Sequence, residues 1–255
     1  GTKLWSKLRA FELKRVFAEF DYIRKHTKRS YLYLTDENIG LLKERDIKLA
    51  QYIRESYDTT KFPSHVLTYT DKHMTDTVQK IKDIMQPISD FNVSFQTLNE
   101  DASRAVNRIN LRKEDTPEYL RWAREKGIPT TTEMIFGFPY ETSGSFILGL
   151  EWLIKNGFDY VSSYDLRLFR GSDLFMESHR KQYRLKTMFR MGEKSFGIYV
   201  GKVVLDMEEI VVSSNTFGFN DFIKVRKYCF FFYLAYGARY LSELINIMIH
   251  VGLPG

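Results

Sequence analysis

Apolar positions along the first two thirds of the chain switch repeatedly between two spacings. Over residues 10–26, Phe11, Val16, Phe17, Phe20 and Ile23 recur among charges at helical intervals, the stripe of an amphipathic helix. Residues 31–35 (Tyr-Leu-Tyr-Leu-Thr) predict a strand. The exchange then repeats. A helix over 44–57 carries Ile47, Leu49, Ala50 and Ile53; a strand covers 64–70; a helix over 73–86 ends at Pro87; a strand covers 91–97. Helices at 100–108 and 117–126 follow, the second stopped by Gly127. Next come a strand at 129–136, a helix at 143–156 stopped by Gly157, and a strand at 160–169. Strands alternating with helices predict βαβ units and a parallel sheet, either an α/β barrel or a doubly wound sheet. The leading helix calls for a strand before it, expected upstream of Gly1. After residue 171 the pattern changes to β-rich stretches over 196–214 and one long aromatic helix over about 219–250, read as a C-terminal extension packed on the barrel.

Composition narrows the chemistry more than the fold. A chain of 255 residues fits one large α/β domain, with or without a small appendage, and needs no disulfide staples. Cys229 is the one cysteine, which excludes a disulfide framework and any thiolate metal site built from this sequence alone. No metal ligand is therefore assigned, and a reducing, cytoplasmic setting is expected. The net charge of +6 weakly favours anionic partners. Its distribution argues otherwise, because basic residues are interleaved with acids, as in Lys43-Glu44-Arg45-Asp46, the pattern of solvated helix faces. Sixteen tyrosines permit a nucleic-acid-binding module, but no aromatic-basic motif supports one and no nucleic acid is expected. No apolar run reaches the roughly 18 residues of a membrane span, and no leader of signal-peptide type is visible at the start.

Ligands of parallel α/β sheets bind at the carboxyl ends of the strands, and the polar residues fall there. The strand from 31 runs into Thr35-Asp36-Glu37-Asn38. Ser94 and Gln96 lie two apart and share a face of their strand. Glu133, Ile135 and Gly137 share a face of the next, and Ser163, Asp165 and Arg167 a face of the last, with Tyr164, Leu166 and Leu168 turned to the helices. Four strands thus aim polar groups at one volume. Each residue also has a structural reading. Asp36 or Asn38 could cap a turn, Thr142 an N-terminus with Glu141 sensing the helix dipole, and Glu133 and Arg167 could form a buried ion pair. His65 and His73 read as satisfied polar residues, Met134 and Phe136 as core. In Gly137-Phe138-Pro139-Tyr140-Glu141-Thr142, a glycine then a proline at a strand end let the backbone pass close to a ligand.

Five phrases in order carry a resemblance: Leu34-Thr35-Asp36-Glu37-Asn38-Ile39-Gly40, Ser94-Phe95-Gln96-Thr97-Leu98-Asn99, Asn107-Arg108-Ile109-Asn110, Glu133 to Thr142, and Arg170-Gly171-Ser172-Asp173-Leu174. Over about residues 1–175 the chain resembles the radical S-adenosylmethionine superfamily, nearest the branch in which a cobalamin-binding domain precedes the barrel. The resemblance implies a partial TIM-like (β/α) barrel of parallel strands over 1–175 that lacks its first strand, and a β/α extension over 176–255. It implies a [4Fe–4S] cluster that binds S-adenosylmethionine and cleaves it reductively to a 5′-deoxyadenosyl radical for chemistry on an unknown small molecule, cobalamin-dependent methyl transfer among the options. The parent enzyme would take electrons from a flavodoxin or ferredoxin. Asp36, Glu37, Ser94, Gln96, Glu133, Ile135 and Gly137 would bind the cofactor, with Asp165 and Arg167 facing the substrate. No catalytic residue follows. The family's C-x-x-x-C-x-x-C loop is absent and is expected upstream of Gly1, so the chain alone would be inactive. The alternative is a catalytically inactive barrel that binds a nucleotide-like ligand or a protein partner.

Overall fold

The computed structural model describes residues 9–36, 38–70, 75–108 and 110–252. The elements run α1 (Leu13–His26), β1 (Tyr31–Tyr33), α2 (Lys43–Thr60), β2 (His65–Leu67), α3 (Asp76–Ile84), β3 (Phe91–Asn92), α4 (Glu100–Ala105), α5 (Thr116–Glu125), β4 (Thr130–Phe136), α6 (Ser143–Lys155), β5 (Tyr160–Asp165), α7 (Glu177–Gln182), β6 (Lys186–Tyr199), β7 (Lys202–Ser213), α8 (Phe219–Phe232) and α9 (Ser242–His250). The βα alternation up to residue 165 is the one the apolar pattern predicts. The chain divides into two compact units, residues 1–92 with 121–130, and residues 93–120 with 131–255.

In the first unit β1 and β2 pair in parallel, Leu32 opposite Val66. Both are buried and pack with Phe20 of α1, Leu49, Ala50 and Ile53 of α2, and Ile81 of α3. The opposite face is aromatic: Tyr31 stacks on His65 at 4.9 Å, and Tyr33 meets Tyr69 edge-on. His65, expected as a satisfied polar residue, makes this ring contact, and His73 lies outside the described residues. Lys82 of α3 is the exception in this core. It is 1% exposed, and its ammonium donates to Thr68 Oγ1 at 2.7 Å, Ser89 Oγ at 3.0 Å and the Asp90 carbonyl at 2.5 Å.

In the second unit β4 and β5 pair in parallel, with Glu133 opposite Ser162 and Phe136 opposite Asp165. Met134 and Phe136 are core, Phe136 packing on Phe146 of α6 with ring centroids 5.1 Å apart. The predicted strand 91–97 is regular only over Phe91–Asn92. Gln96 interrupts it with φ of 60°, although its backbone still bridges Met134 in parallel. Beyond β5, residues 166–168 join β7 through Leu168 N–H to the Glu209 carbonyl and Val211 N–H to the Leu166 carbonyl, both 2.9 Å.

The C-terminal region departs from expectation in two ways. The β-rich stretch is a long antiparallel hairpin, and it begins at Lys186 rather than 196. The single helix expected over 219–250 is broken. α8 passes into a π turn over Tyr233–Gly237, Arg239 takes the left-handed conformation (φ 61°), and α9 restarts at Ser242. The apolar pattern runs through the break, and Gly237 was its signal, since glycine weakens a helix interior. No helix among the described residues is long and apolar enough to cross a membrane.

Candidate functional site

The extended segment 93–97 and strand β4 lie side by side in the second unit, with Val93 N–H bonded to the Thr131 carbonyl and Ile135 N–H to the Gln96 carbonyl. Alternate residues on β4 divide sharply: Thr132, Met134 and Phe136 are buried, while Thr131, Glu133 and Ile135 are half-buried. Ser94 and Gln96 reach the Glu133 side. Ser94 Oγ donates to Glu133 Oε1, and Gln96 Nε2 lies 3.5 Å from the same oxygen, at the outer limit for a hydrogen bond. Both contacts use Oε1, so among the described residues Oε2 is left as an acceptor. The left-handed Gln96 is costly for a residue with a Cβ, by about 1–3 kcal/mol. Such strain persists only where the surroundings fix it, and it turns this side chain toward the glutamate.

Arg108 supports the cluster from behind. It donates to the carbonyls of Ser94 and Phe95 and, at 2.7 Å, to Asn110 Oδ1, and Asn110 in turn donates to the Thr97 carbonyl at 2.6 Å. Burial lowers the Arg108 pKa, and the Glu133 carboxylate opposes that shift; a guanidinium stays charged regardless. Neither Arg108 nor Asn110 was singled out for a role from sequence, although the Asn107-Arg108-Ile109-Asn110 phrase contains both.

Glu141 is a structural residue. It is fully buried and accepts the hydroxyls of Thr97 and Ser145, so it joins the 93–99 segment to the start of α6. Burial raises its pKa against the pull of these donors. Thr142 is the N-cap expected of it, in a reciprocal box with Ser145. Gly137 has φ of 122°, and a Cβ there would sit 2.9 Å from the Leu166 Cβ. Its glycine is explained by this packing, so the ligand approach inferred from sequence is not needed to account for it.

The predicted convergence holds for only part of the set. Ser94, Gln96 and Glu133 come together, with Ile135 next along the same face. The β4–β5 register corrects the other strand: Ser162 and Tyr164 share the face of Glu133 and Ile135, while Ser163 and Asp165 share that of Met134 and Phe136. Tyr164, expected against the helices, is 46% exposed. One residue of register offset inverts every side chain, and alternation along β5 alone could not choose the face. Asp165 is buried and accepts from Arg190 of β6 at 2.6 Å and from Arg226 of α8. Arg167 pairs with Glu208 of β7 at 2.6 Å and not with Glu133. Asp36, in the first unit, accepts the Asn38 N–H at 3.1 Å, the turn-capping geometry, and lies 4.0 Å from Arg45. Glu37 lies outside the described residues.

No protein-family model matches the chain. It is 26% identical over 192 residues, 74% of its length, to the cobalamin-dependent radical SAM methyltransferase TokK of Streptomyces tokunonensis. It is 26% identical over 160 residues to 2-(S-pantetheinyl)-carbapenam-3-carboxylate methyltransferase of Streptantibioticus cattleyicolor. The chain is a relative of the cobalamin-dependent radical S-adenosylmethionine methyltransferases. It spans 28% and 23% of those two proteins, less than a third of either. Over 69% of its length it shares the fold of the radical S-adenosylmethionine methyltransferase TsrM of Kitasatospora setae, solved with cobalamin and a [4Fe-4S] cluster. The TM-score is 0.54, the identity 18%, and 34% of that chain is covered. A second TsrM structure, with tryptophan substrate and a SAM analogue, gives a TM-score of 0.53.

Proposed function

We propose that this chain forms part of a radical S-adenosylmethionine methyltransferase of the cobalamin-dependent branch, acting on a small molecule, and that the Ser94–Gln96–Glu133 face binds S-adenosylmethionine. The supporting observation is a carboxylate on a parallel strand, oriented by two side chains of the neighbouring segment and keeping one oxygen for a ligand donor. That donor set fits the ribose hydroxyls or amino group of S-adenosylmethionine. Ile135 would supply apolar contact to the adenosine and Gly137 would close the turn below it; a contact of Asp36 or Glu37 with the methionine amino group rests on the family resemblance alone. Bound there, the cofactor supplies a methyl group or, on reductive cleavage, a radical. This chain's residues would hold and orient it.

The residues present do not fit a [4Fe–4S] cluster, since cluster iron needs several thiolates and Cys229 is the one cysteine. The cluster and cobalamin are therefore assigned to other parts of the parent enzyme, and no step is routed through them. Kinship with TsrM supports reading residues 1–175 as a partial barrel and 176–255 as its extension. Asp165 and Arg167 would then serve the substrate side from the face opposite Glu133, on which Asp165 lies with Phe136. The single cysteine favours one second reading, an inactive barrel that binds a nucleotide-like ligand.

The test is 5′-deoxyadenosine and S-adenosylhomocysteine formation by the parent protein under anaerobic, reducing conditions with cobalamin. Glu133→Ala and Asp36→Ala should each slow formation by tenfold or more, on the order of one charge-assisted hydrogen bond, while circular dichroism is unchanged. Wild-type rates in both variants would make these carboxylates structural. No turnover in the wild type would favour the inactive barrel.

A further inference from the structure

Five charged side chains of the second unit form an alternating ladder: Arg226, Asp165, Arg190, Glu208, Arg167. Arg226 and Arg190 both donate to Asp165 Oδ2, the latter at 2.6 Å. Arg190 Nε also meets Glu208 at 3.1 Å, and Arg167 meets Glu208 at 2.6 Å. Three guanidiniums share two carboxylates, so the ladder carries one uncompensated positive charge, and both its ends are arginines. Asp165 is held deep in the fold with its side chain 8% exposed, whereas the Arg226 side chain is 50% exposed. Among the described residues Arg226 meets no carboxylate but Asp165. Among the described residues its guanidinium makes no other side-chain hydrogen bond, and Arg226 borders a cavity of about 430 Å³ along β5.

Besides Arg226, Arg190 and Asp165, the walls of that cavity are aromatic or neutral. Tyr164, Phe230 and Tyr233 present their rings, and all three are largely exposed. Ser163 of β5 and Cys229 of α8 are hydrogen-bonded to each other, and burial pushes the Cys229 thiol up, so it adds no charge. A pocket of this size, in which two guanidiniums outnumber one carboxylate and the other walls are aromatic or neutral, suits a small aromatic or alicyclic body carrying one anion. A planar guanidinium matches a carboxylate in two parallel hydrogen bonds. Tyr164 shares the face of Glu133 and Ile135, whereas Ser163 and Asp165 turn to the opposite face, so the cavity borders the β4–β5 pair along the outer edge of β5.

The geometry points to a carboxylate subsite in this cavity, in which Arg226 and Arg190 grip the acid group of an aromatic or alicyclic carboxylic acid and Asp165 holds the two guanidiniums in place. This deepens the proposed function by naming the substrate class, and only the word substrate rests on that proposal; the anion site stands on the ladder and the cavity.

The test uses indole-3-acetate and indole-3-acetamide, which differ essentially in head-group charge. Calorimetric titration of each into the 255-residue chain at low ionic strength, where screening is weak, gives a ratio of affinities. The wild type should prefer the acid by about tenfold, the scale of one charge-assisted hydrogen bond. Arg226→Gln should bring the ratio to about one. Asp165→Asn, which removes the internal competitor for the guanidiniums, should raise it. Circular dichroism establishes that each variant is folded, and Arg190→Gln serves in place of any that is not. A wild-type ratio near one, a preference unchanged in Arg226→Gln, a fall in folded Asp165→Asn, or no saturable binding of either compound would overturn the subsite. None of these results bears on S-adenosylmethionine binding at Glu133, which is read independently.

Discussion

Lys82→Met tests the packing of the first unit through its pH dependence. Lys82 sits inside α3's buried face, and desolvation lowers its pKa from 10.5 to about 8, with the Asp90 carboxylate pulling the other way. In the folded chain the ammonium therefore loses its proton more easily than in the unfolded one. Between pH 8 and 10.5 the unfolded state binds more protons, so stability rises with pH across that window. The gap of about 2.5 pH units corresponds to roughly 3 kcal/mol at 1.36 kcal/mol each. Below pH 8 the charge stays buried, compensated by three hydrogen bonds and by Asp90, whose buried Oδ1 accepts no hydrogen bond among the described residues. Methionine keeps the volume, abolishes the titration and removes the ammonium donor from all three acceptors, of which the Asp90 carbonyl keeps the Ser89 hydroxyl at 3.2 Å. At pH 7 the variant should be destabilised by about 2–4 kcal/mol, the cost of stranding buried polar groups. Urea denaturation followed by tryptophan fluorescence, repeated from pH 7 to 10.5, reads both effects. The gap between wild type and variant should widen by roughly 3 kcal/mol over that range. Parallel pH profiles would refute the buried-ammonium account.

Other perturbations follow from the same contacts. Gly137→Ala should cost about 2–4 kcal/mol in the same denaturation assay, because φ is 122° and the added Cβ meets Leu166 at 2.9 Å; a loss below 0.5 kcal/mol would be inconsistent with that clash. Thr142→Ala removes the α6 cap and should cost about 1 kcal/mol, with Thr142→Ser restoring most of it. Anaerobic reconstitution of the chain followed by iron counting should show no four-iron cluster, since one thiolate is present; stoichiometric loading would contradict the cysteine argument.

The order of helices and strands up to residue 165 was readable because each element carries its own period. Leu32 alternates with Tyr31 and Tyr33 on β1, and α2 displays Leu49, Ala50 and Ile53 on one stripe. Ser94, Gln96 and Glu133 were also readable as neighbours, since two adjacent parallel strands bring same-face residues together. Residues whose partners are remote in sequence were not. Lys82 looks like one more solvated lysine on a charged helix, and only the packing of α3 shows its three acceptors. The orientation of Asp165 depends on the β4–β5 register and on Arg190 and Arg226, 25 and 61 residues away. The hairpin start at Lys186 was missed because Lys186 to Lys194 mixes charges with Met and Phe and lacks clean alternation. The break near Gly237 was hidden by apolar residues on both sides.

The claim that Glu133 anchors S-adenosylmethionine is tested most directly by calorimetric titration of S-adenosylmethionine into the wild-type chain, Glu133→Gln and Ser94→Ala. Glutamine keeps the shape but exchanges a charged acceptor for a neutral amide. That should weaken binding by about tenfold, the roughly 1.4 kcal/mol of one charge-assisted hydrogen bond. Ser94→Ala, which releases the carboxylate from its orienting hydroxyl, should weaken it less, and circular dichroism should match the wild type in both. Wild-type affinity in Glu133→Gln would contradict the account and leave the Ser94–Gln96–Glu133 cluster a strut between two strands.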